Sequence, residues 1–164
     1  MRHTISVLVE NEFGVLARIA GLFSGRGYNI DSLTVSETLE PGVSRMTIVT
    51  MGNERVIEQI LKQLNRLINV IKVDDLTKLP HVERDLIMIK VERGQNREKL
   101  LNEVELYGGR MVDDDGGSYL LEFTGDSASL HKILEALKPF GILDFISSGS
   151  LAMAKGKESL EDSA

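Results

Sequence analysis

Three residues with suitable chemistry for a small charged ligand flank the first predicted helix: Asn11, Gly14 and Asn29. Gly14 stands at the start of that helix, where the missing Cβ lets a ligand approach the backbone and the first N–H groups are unpaired. A carboxylate fits such a helix start. The two Asn side chains carry donors and acceptors that suit an ammonium group. Residues 27–29 are expected to bring the backbone back beside the turn, so the three residues predict a clamp for a zwitterion, although Asn and Gly are also ordinary turn residues.

The periodicity of apolar residues predicts the elements that hold this clamp. Period-two alternation indicates strands, spacing of i, i+3, i+4 and i+7 indicates helices, and Pro-Gly marks a hairpin turn. The predicted elements of the first half are a strand over residues 4–10, a helix from Val15, hairpin strands over 30–38 and 43–51, a helix capped by Asn53, and a strand over 70–73. Their order is βαββαβ.

The second half repeats this order. Its predicted elements are a strand over residues 85–91, a helix over 97–107, hairpin strands over 110–114 and 119–124, a helix over 130–137, and a strand over 142–146. At an offset of 81 residues the stripe of the first helix recurs in register, with Ile19 on Leu100, Ala20 on Leu101, Phe23 on Val104 and Gly27 on Gly108. The repeat predicts an α+β protein of two tandem ferredoxin-like βαββαβ domains.

The predicted boundaries are a first domain over residues 1–76, a linker over 77–83, a second domain over 84–152 and a mobile tail over 153–164. The clamp belongs to the first domain, because Arg110 falls where Asn29 would repeat. We expect that domain to fold alone when the chain is cut after Leu79. We also expect it to form a homodimer, because Leu33 and Val35, or the residues that alternate with them, would leave apolar side chains on both faces of a sheet covered on one side.

Composition narrows the function classes. Nineteen basic and 25 acidic residues give a net charge of −6, which disfavours binding to nucleic acid. The chain has no cysteine, so thiol nucleophiles and cysteine-ligated metals are excluded. No apolar run approaches the ~18 residues of a membrane span, and residues 1–4 lead into a strand pattern rather than a signal peptide. These features predict a cytoplasmic protein with no membrane partner.

The sequence gives little support for a catalytic or metal-binding function. An acylphosphatase-like enzyme of the same topology would need an Arg in the first turn, where the charged residue is Glu12. An RNA-binding domain would need aromatic residues on its central strands, which here have none. The run of Asp residues at 113–115 precedes Gly116 and Gly117, which favours a hairpin turn over a cation site. Three histidines share no spacing for a metal and are expected to be surface or linker residues: His3, His81 and His131.

Longer motifs carry a resemblance to a known family. A βαββαβ unit with Asn-x-x-Gly-x-Leu at its first strand-to-helix turn resembles an ACT domain, the amino-acid-sensing module of many biosynthetic enzymes. The runs over residues 9–16, 22–24, 26–30, 32–35 and 44–47 are similar to those of acetolactate (acetohydroxyacid) synthase small subunits, with Glu12 and Phe13 between the Asn and the Gly of the motif. Residues 81–84 extend the resemblance into the second half.

The resemblance implies a regulatory subunit rather than an enzyme. It implies activation of a separate catalytic large subunit, a thiamine-diphosphate-dependent transferase that converts two pyruvate to 2-acetolactate and CO2 in the synthesis of valine, leucine and isoleucine. It also implies feedback inhibition by a branched-chain amino acid, usually valine, bound where two ACT domains of a homodimer meet. Thiamine diphosphate, Mg and FAD are implied on the catalytic subunit, with no cofactor or metal in this chain. The implied effector residues are Asn11, Gly14 and Asn29, with Val15, Leu16 and Ile30 added by adjacency.

Overall fold

The computed structural model describes residues 1–94 and 96–157 of the chain. The chain forms two compact units, one of Met1–Val82 with the described residues from Ser150 to 157 and one of Glu83–Gly149. The elements of residues 1–78 are β1 (Arg2–Glu10), α1 (Val15–Ser24), β2 (Ser32–Glu37), β3 (Val43–Met51), α2 (Glu54–Leu64), β4 (Val70–Asp75) and a 3₁₀ turn (Leu76–Lys78). The later elements are β5 (His81–Glu92), α3 (Arg97–Leu106), β6 (Arg110–Asp113), β7 (Ser118–Gly125), α4 (Ser127–Leu137), a 3₁₀ turn (Lys138–Phe140), β8 (Ile142–Ser147) and β9 (Leu151–Ala154).

Both units have the sheet order of a ferredoxin-like fold. The first sheet is β2-β3-β1-β4, and the second is β6-β7-β5-β8 with β9 paired to β5. In the first sheet Ile5, Val7 and Val9 point to one face and join α1 and α2 in a single apolar core. The matching residues of β5 are Ile87, Ile89 and Val91, which do the same in the second unit. The predicted α+β fold with tandem βαββαβ units is confirmed.

The two units repeat local geometry as well as element order. Gly27 and Gly108, the last pair of the sequence repeat, both have positive φ, 72° and 66°. After α1 the N–H of Tyr28 donates to the carbonyl of Phe23 at 3.0 Å, and after α3 the N–H of Gly109 donates to Val104 at 2.8 Å. A glycine with left-handed backbone therefore ends the first helix of each unit in the same way.

The outer face of the first sheet corrects the predicted domain boundaries. This face, away from the helices, carries hydroxyl and guanidinium groups beside the buried Leu8 and Val43, and the C-terminal strand lies on it. The Thr34 hydroxyl donates to the Ser150 carbonyl at 2.9 Å, the Ser150 N–H donates to the Ser32 hydroxyl at 3.0 Å, and Arg45 Nη2 donates to the Ala152 carbonyl at 3.4 Å. Residues 150–152 were predicted in the second domain and 153–154 in a mobile tail, but all five lie in or next to β9, with the first unit. Polar groups on a covered face need partners, and this strand supplies them.

The same face contradicts the reason given for expecting a homodimer, which was an uncovered apolar face of the first sheet. Ser6 and Thr47 are cross-strand neighbours there and are 0% and 4% exposed. Leu33 packs on the helix side against the core, so the outer face is not an uncovered apolar surface. The predicted linker, residues 77–83, is also ordered, because a 3₁₀ turn continues to Lys78 and β5 begins at His81. The rest of the predicted tail, residues 158–164, lies outside the described residues.

Candidate functional site

The turn between β1 and α1 begins with an open helix start. Gly14 is the N-cap of α1, with φ 84° and ψ −6°, a left-handed conformation that favours glycine. Within the described part of the chain, no side chain caps α1, and no atom lies within 4 Å of a Cβ built on Gly14. By contrast, the Asn53 side chain accepts from the N–H of Val56 at 3.0 Å and caps α2, as predicted. The start of α1 therefore keeps donors and space for an anion.

Asn11 is fixed at the same turn by two hydrogen bonds. Its backbone N–H donates to the Gly42 carbonyl at 2.7 Å, in the β2–β3 hairpin. Its Nδ2 donates to the Glu37 carboxylate at 2.6 Å. An amide that donates through nitrogen retains Oδ1 as an acceptor, and the neighbouring carboxylate adds negative potential. Both effects suit an ammonium group.

Asn29 is held in a similar way at the end of β3. The Thr50 hydroxyl donates to the Asn29 carbonyl at 2.6 Å, and the N–H of Asp31 donates to Val49 at 2.8 Å. Asn29 Nδ2 donates to the Asp31 carboxylate at 2.8 Å, so this amide also presents an acceptor beside a negative charge. Sequence reasoning missed Glu37, Asp31 and Thr50 as partners of the two amides.

The structure separates the two halves of the predicted clamp. Asn11 follows Glu10, which pairs with Val43 at one end of β3, whereas Asn29 is bonded to Thr50 near the other end. Seven residues of strand at ~3.3 Å each put these ends about 23 Å apart. The expectation that residues 27–29 return beside the turn is therefore wrong, because α1 carries the chain to the far end of the sheet. Asn11 and Gly14 form one half-site, and Asn29 forms another.

The apolar positions assigned by adjacency differ in accessibility. Val15 is 4% exposed and belongs to the core, so it supports the turn from below. Leu16 is 43% exposed and lies beside the open helix start. Ile30 is half-buried and packs on the core next to Asn29. Phe13 is fully exposed, so its ring leaves the backbone of the turn accessible.

A polar network centred on the buried Asn69 lies behind the turn, and sequence reasoning missed it too. Asn69, between α2 and β4, is 7% exposed and accepts from Arg18 Nη1. Its Nδ2 donates to Glu10 at 2.7 Å and to Glu12 at 3.1 Å. No sequence spacing links these residues, because the α2–β4 loop meets the turn only in the folded sheet.

The Asp run and His3, the other residues considered as candidate sites, have structural positions, and the prediction for His3 was wrong. Asp114 pairs with Arg93 at 3.2 Å and Arg97 at 3.4 Å. Among the described residues no group of three or more His, Asp or Glu side chains is placed to hold a metal ion, and no helix is long and apolar enough to cross a membrane. His3 was predicted at the surface but is 2% exposed on β1, and neither ring nitrogen has a hydrogen-bond partner in the described part of the chain.

An antiparallel sheet of order β2-β3-β1-β4 with two helices on one face is the ferredoxin-like arrangement of ACT domains, and the first unit adds a glycine-opened turn after β1. A family model described as the AHAS small subunit-like ACT domain matches residues 5–72, and one described as the small subunit of acetolactate synthase matches residues 84–156. The chain belongs to the family of acetolactate synthase small subunits.

Individual relatives cover nearly the whole chain. The acetolactate synthase small subunit of Aquifex aeolicus is 49% identical over 156 residues, covering 94% of this chain and 81% of the relative. The isozyme 3 small subunit of Escherichia coli is 40% identical, covering 95% of this chain and 97% of the relative. The crystal structure of the Thermotoga maritima small subunit superposes with a TM-score of 0.86 at 32% identity, covering 96% of this chain and 99% of that one. The resemblance noted from the motifs is confirmed.

Proposed function

We propose that this protein is the regulatory subunit of an acetolactate synthase, which activates the catalytic large subunit and confers feedback inhibition by valine. Family membership over both units supports the regulatory role and the catalytic partner. The chemistry of the half-sites supports a free amino acid as the effector. Thiamine diphosphate, Mg and FAD would belong to the catalytic subunit.

The observation that carries the proposal is the pairing of an anion-binding half-site with ammonium-binding amides. The open start of α1 at Gly14 presents N–H groups to a carboxylate, and the helix dipole favours the negative charge. Asn11 beside Glu37, and Asn29 beside Asp31, present amide oxygens in negative surroundings. A zwitterion matches this combination, whereas phosphate or nucleic acid would meet four carboxylates: Glu10, Glu12, Asp31 and Glu37.

Because the half-sites lie about 23 Å apart along the strands, a second copy of the chain would complete the effector site. β2 is the edge strand of the first sheet and runs from the Asn29 end to the Asn11 end. A two-fold axis that pairs β2 with β2 of a second copy makes the strands antiparallel. Asn29 of the partner subunit then faces Asn11 and Gly14 of the first. Two equivalent effector sites result, each built by both protomers.

Valine suits such a site because of its size. A ligand this small binds tightly only when both charged ends are satisfied and the isopropyl group is enclosed, and discrimination from leucine would amount to ~1–3 kcal/mol. Leu16 and the half-exposed Val35 of the β2 edge supply apolar surface for the enclosure. Binding across the interface adjusts how the protomers pack, and ~1–3 kcal/mol of coupling is enough to change the activity of a bound catalytic subunit several-fold to a hundredfold.

Reconstitution with the catalytic subunit tests the proposal. Acetolactate synthesis should rise when this chain is added and fall again with increasing valine. A thermal-shift titration of this chain alone with valine, leucine, isoleucine and a pyrophosphate analogue reports binding without the partner. Light scattering at micromolar concentration should give a dimer. Activation without any response to branched-chain amino acids would reject the effector half of the proposal, and a monomer would reject the shared site.

A further inference from the structure

We propose that Asn69 is a positioning residue for the effector: it holds the Glu12 carboxylate away from the start of α1, so that the anion half-site stays open. This inference rests on the proposed function, since it concerns the same turn. It adds a residue from the α2–β4 loop that is distant in sequence from every residue assigned to effector binding.

Asn69 holds both sides of the turn with one side chain. Its backbone carbonyl also accepts from the N–H of Glu10 at 2.9 Å, which fixes the loop to the last residue of β1. Its amide nitrogen donates to the Glu10 and Glu12 carboxylates, before and within the turn, and its amide oxygen accepts from Arg18 on α1. Asn69 is 7% exposed, so water competes poorly for these bonds at the Asn69 end.

Glu12 is the group that needs holding. It lies two residues before the N-cap Gly14, and a carboxylate is attracted to the unpaired N–H groups and positive dipole end of a helix start. Those are the groups assigned to the carboxylate of the effector. A freed Glu12 would therefore occupy or repel the effector position, whereas the hydrogen bond of 3.1 Å to Asn69 ties its carboxylate to the α2–β4 loop.

The arrangement also explains how two carboxylates are accommodated side by side. Glu10 and Glu12 both accept from the same neutral amide nitrogen, and the Arg18 guanidinium on the amide oxygen supplies positive charge nearby. β4 has a register shift against β1 between Leu8 and Val9, directly beside this loop. Such bulges re-aim nearby residues next to functional sites, and here the bulge accompanies the loop that brings Asn69 under the turn.

The test is valine inhibition of the reconstituted complex for three variants: Asn69→Ala, Glu12→Gln and the double variant. Asn69→Ala should raise the half-inhibitory valine concentration about tenfold or more, because a like charge enters the effector position. Glu12→Gln alone should stay within about threefold of the parent. The double variant should return to near the parent value, because the residue set free no longer carries a charge. Activation without valine should be unchanged in all three.

Three results would overturn the proposal. Unchanged sensitivity in Asn69→Ala shows that the residue has no role at the site. Lost sensitivity that Glu12→Gln does not restore shows a general structural role instead. If the parent complex is activated but ignores every branched-chain amino acid, the proposed function itself is wrong, and the role of Asn69 falls with it. If Asn69→Ala does not fold, Asn69→Ser keeps a polar group beside Arg18 but is too short to reach Glu12, and the same rescue applies.

Discussion

Gly14→Asp and Asn29→Ala, placed in different protomers of one dimer, test whether the effector site is shared. At Gly14 the added Cβ meets open space. The variant should therefore lose only the ~1–2 kcal/mol of folding stability that a left-handed conformation costs an L-residue, and the acid at a helix start offsets part of this cost. Its carboxylate about 4 Å from that of the effector costs ~4 kcal/mol at an effective dielectric constant of 20, or ~1,000-fold in affinity. Asn29→Ala removes a hydrogen bond to a charged group, worth ~1.5–3 kcal/mol, or ~10–100-fold.

Each variant alone should give a dimer with two damaged sites. In a heterodimer carrying one variant per protomer, one site receives both changes. The other combines the intact turn of the Asn29→Ala protomer with Asn29 of the partner subunit and should bind as the parent does. Heterodimers purified with two different tags should therefore show about half of the parent sites at parental affinity by isothermal titration calorimetry. A site within one chain would leave no intact copy.

Two controls separate charge from backbone strain. Gly14→Ala introduces the same left-handed strain without a charge and should weaken valine binding much less than Gly14→Asp. Gly116→Asp adds an acid at another glycine with positive φ and open space, in the second unit, and should leave valine binding unchanged. Heterodimers with no valine sites, while both controls bind, would refute the shared site.

Two further predictions concern stability. Truncation after Gly149 should lower the melting temperature of the first unit by ~5 °C or more relative to truncation after Ala154, because the outer-face hydrogen bonds to β9 contribute ~1 kcal/mol each. Equal melting curves would show that β9 adds nothing to the stability of the first unit. Asp126 caps α4, and the N–H of Ser129, 2.8 Å from its carboxylate, lowers the pKa of Asp126 below its ordinary value. The stability that the Asp126 carboxylate adds is present above its unfolded pKa and is lost as the pH falls through its lowered pKa in the folded protein. Asp126→Ala should therefore lower the melting temperature at pH 7, and the difference from the parent should shrink as the pH falls below about 4. A constant difference down to about pH 2 would contradict the charge-based cap.

Local rules predicted the elements of the chain well. The Asn53 cap of α2 and the positive φ of Gly27 depend on residues within a few positions, so sequence spacing is sufficient to find them. The separation of Asn11 from Asn29 was missed although the arithmetic was available. Ten helical residues of α1 rise ~15 Å, so the chain that follows must begin at the far end of the sheet.

Contacts between distant elements lie beyond such rules. Asn69 meets Glu12 only because β4 pairs with β1, and Ser150 meets Thr34 only because the last strand returns to the first unit across 116 residues. A short run such as residues 151–154 has too little periodicity to indicate its partner. His3 shows the same difficulty, since a polar residue at the start of a strand gives no sign that its ring will be buried.

The two units show how a duplicated fold carries a site in only one copy. Asn11 follows the last residue of β1, and Arg93 follows the last residue of β5 in the same way. The N–H of Asn11 donates to Gly42 and the N–H of Arg93 donates to Gly117 at 3.1 Å, so both first turns are bonded to their hairpins alike. The side chains differ, however: Asn11 presents a neutral amide beside Glu37, whereas the Arg93 guanidinium forms an ion pair with Asp114. Backbone hydrogen bonds form the turn irrespective of the side chain, so the duplicated topology supplies the scaffold. Of the two turns, only that of the first unit carries the side chains of the proposed effector site.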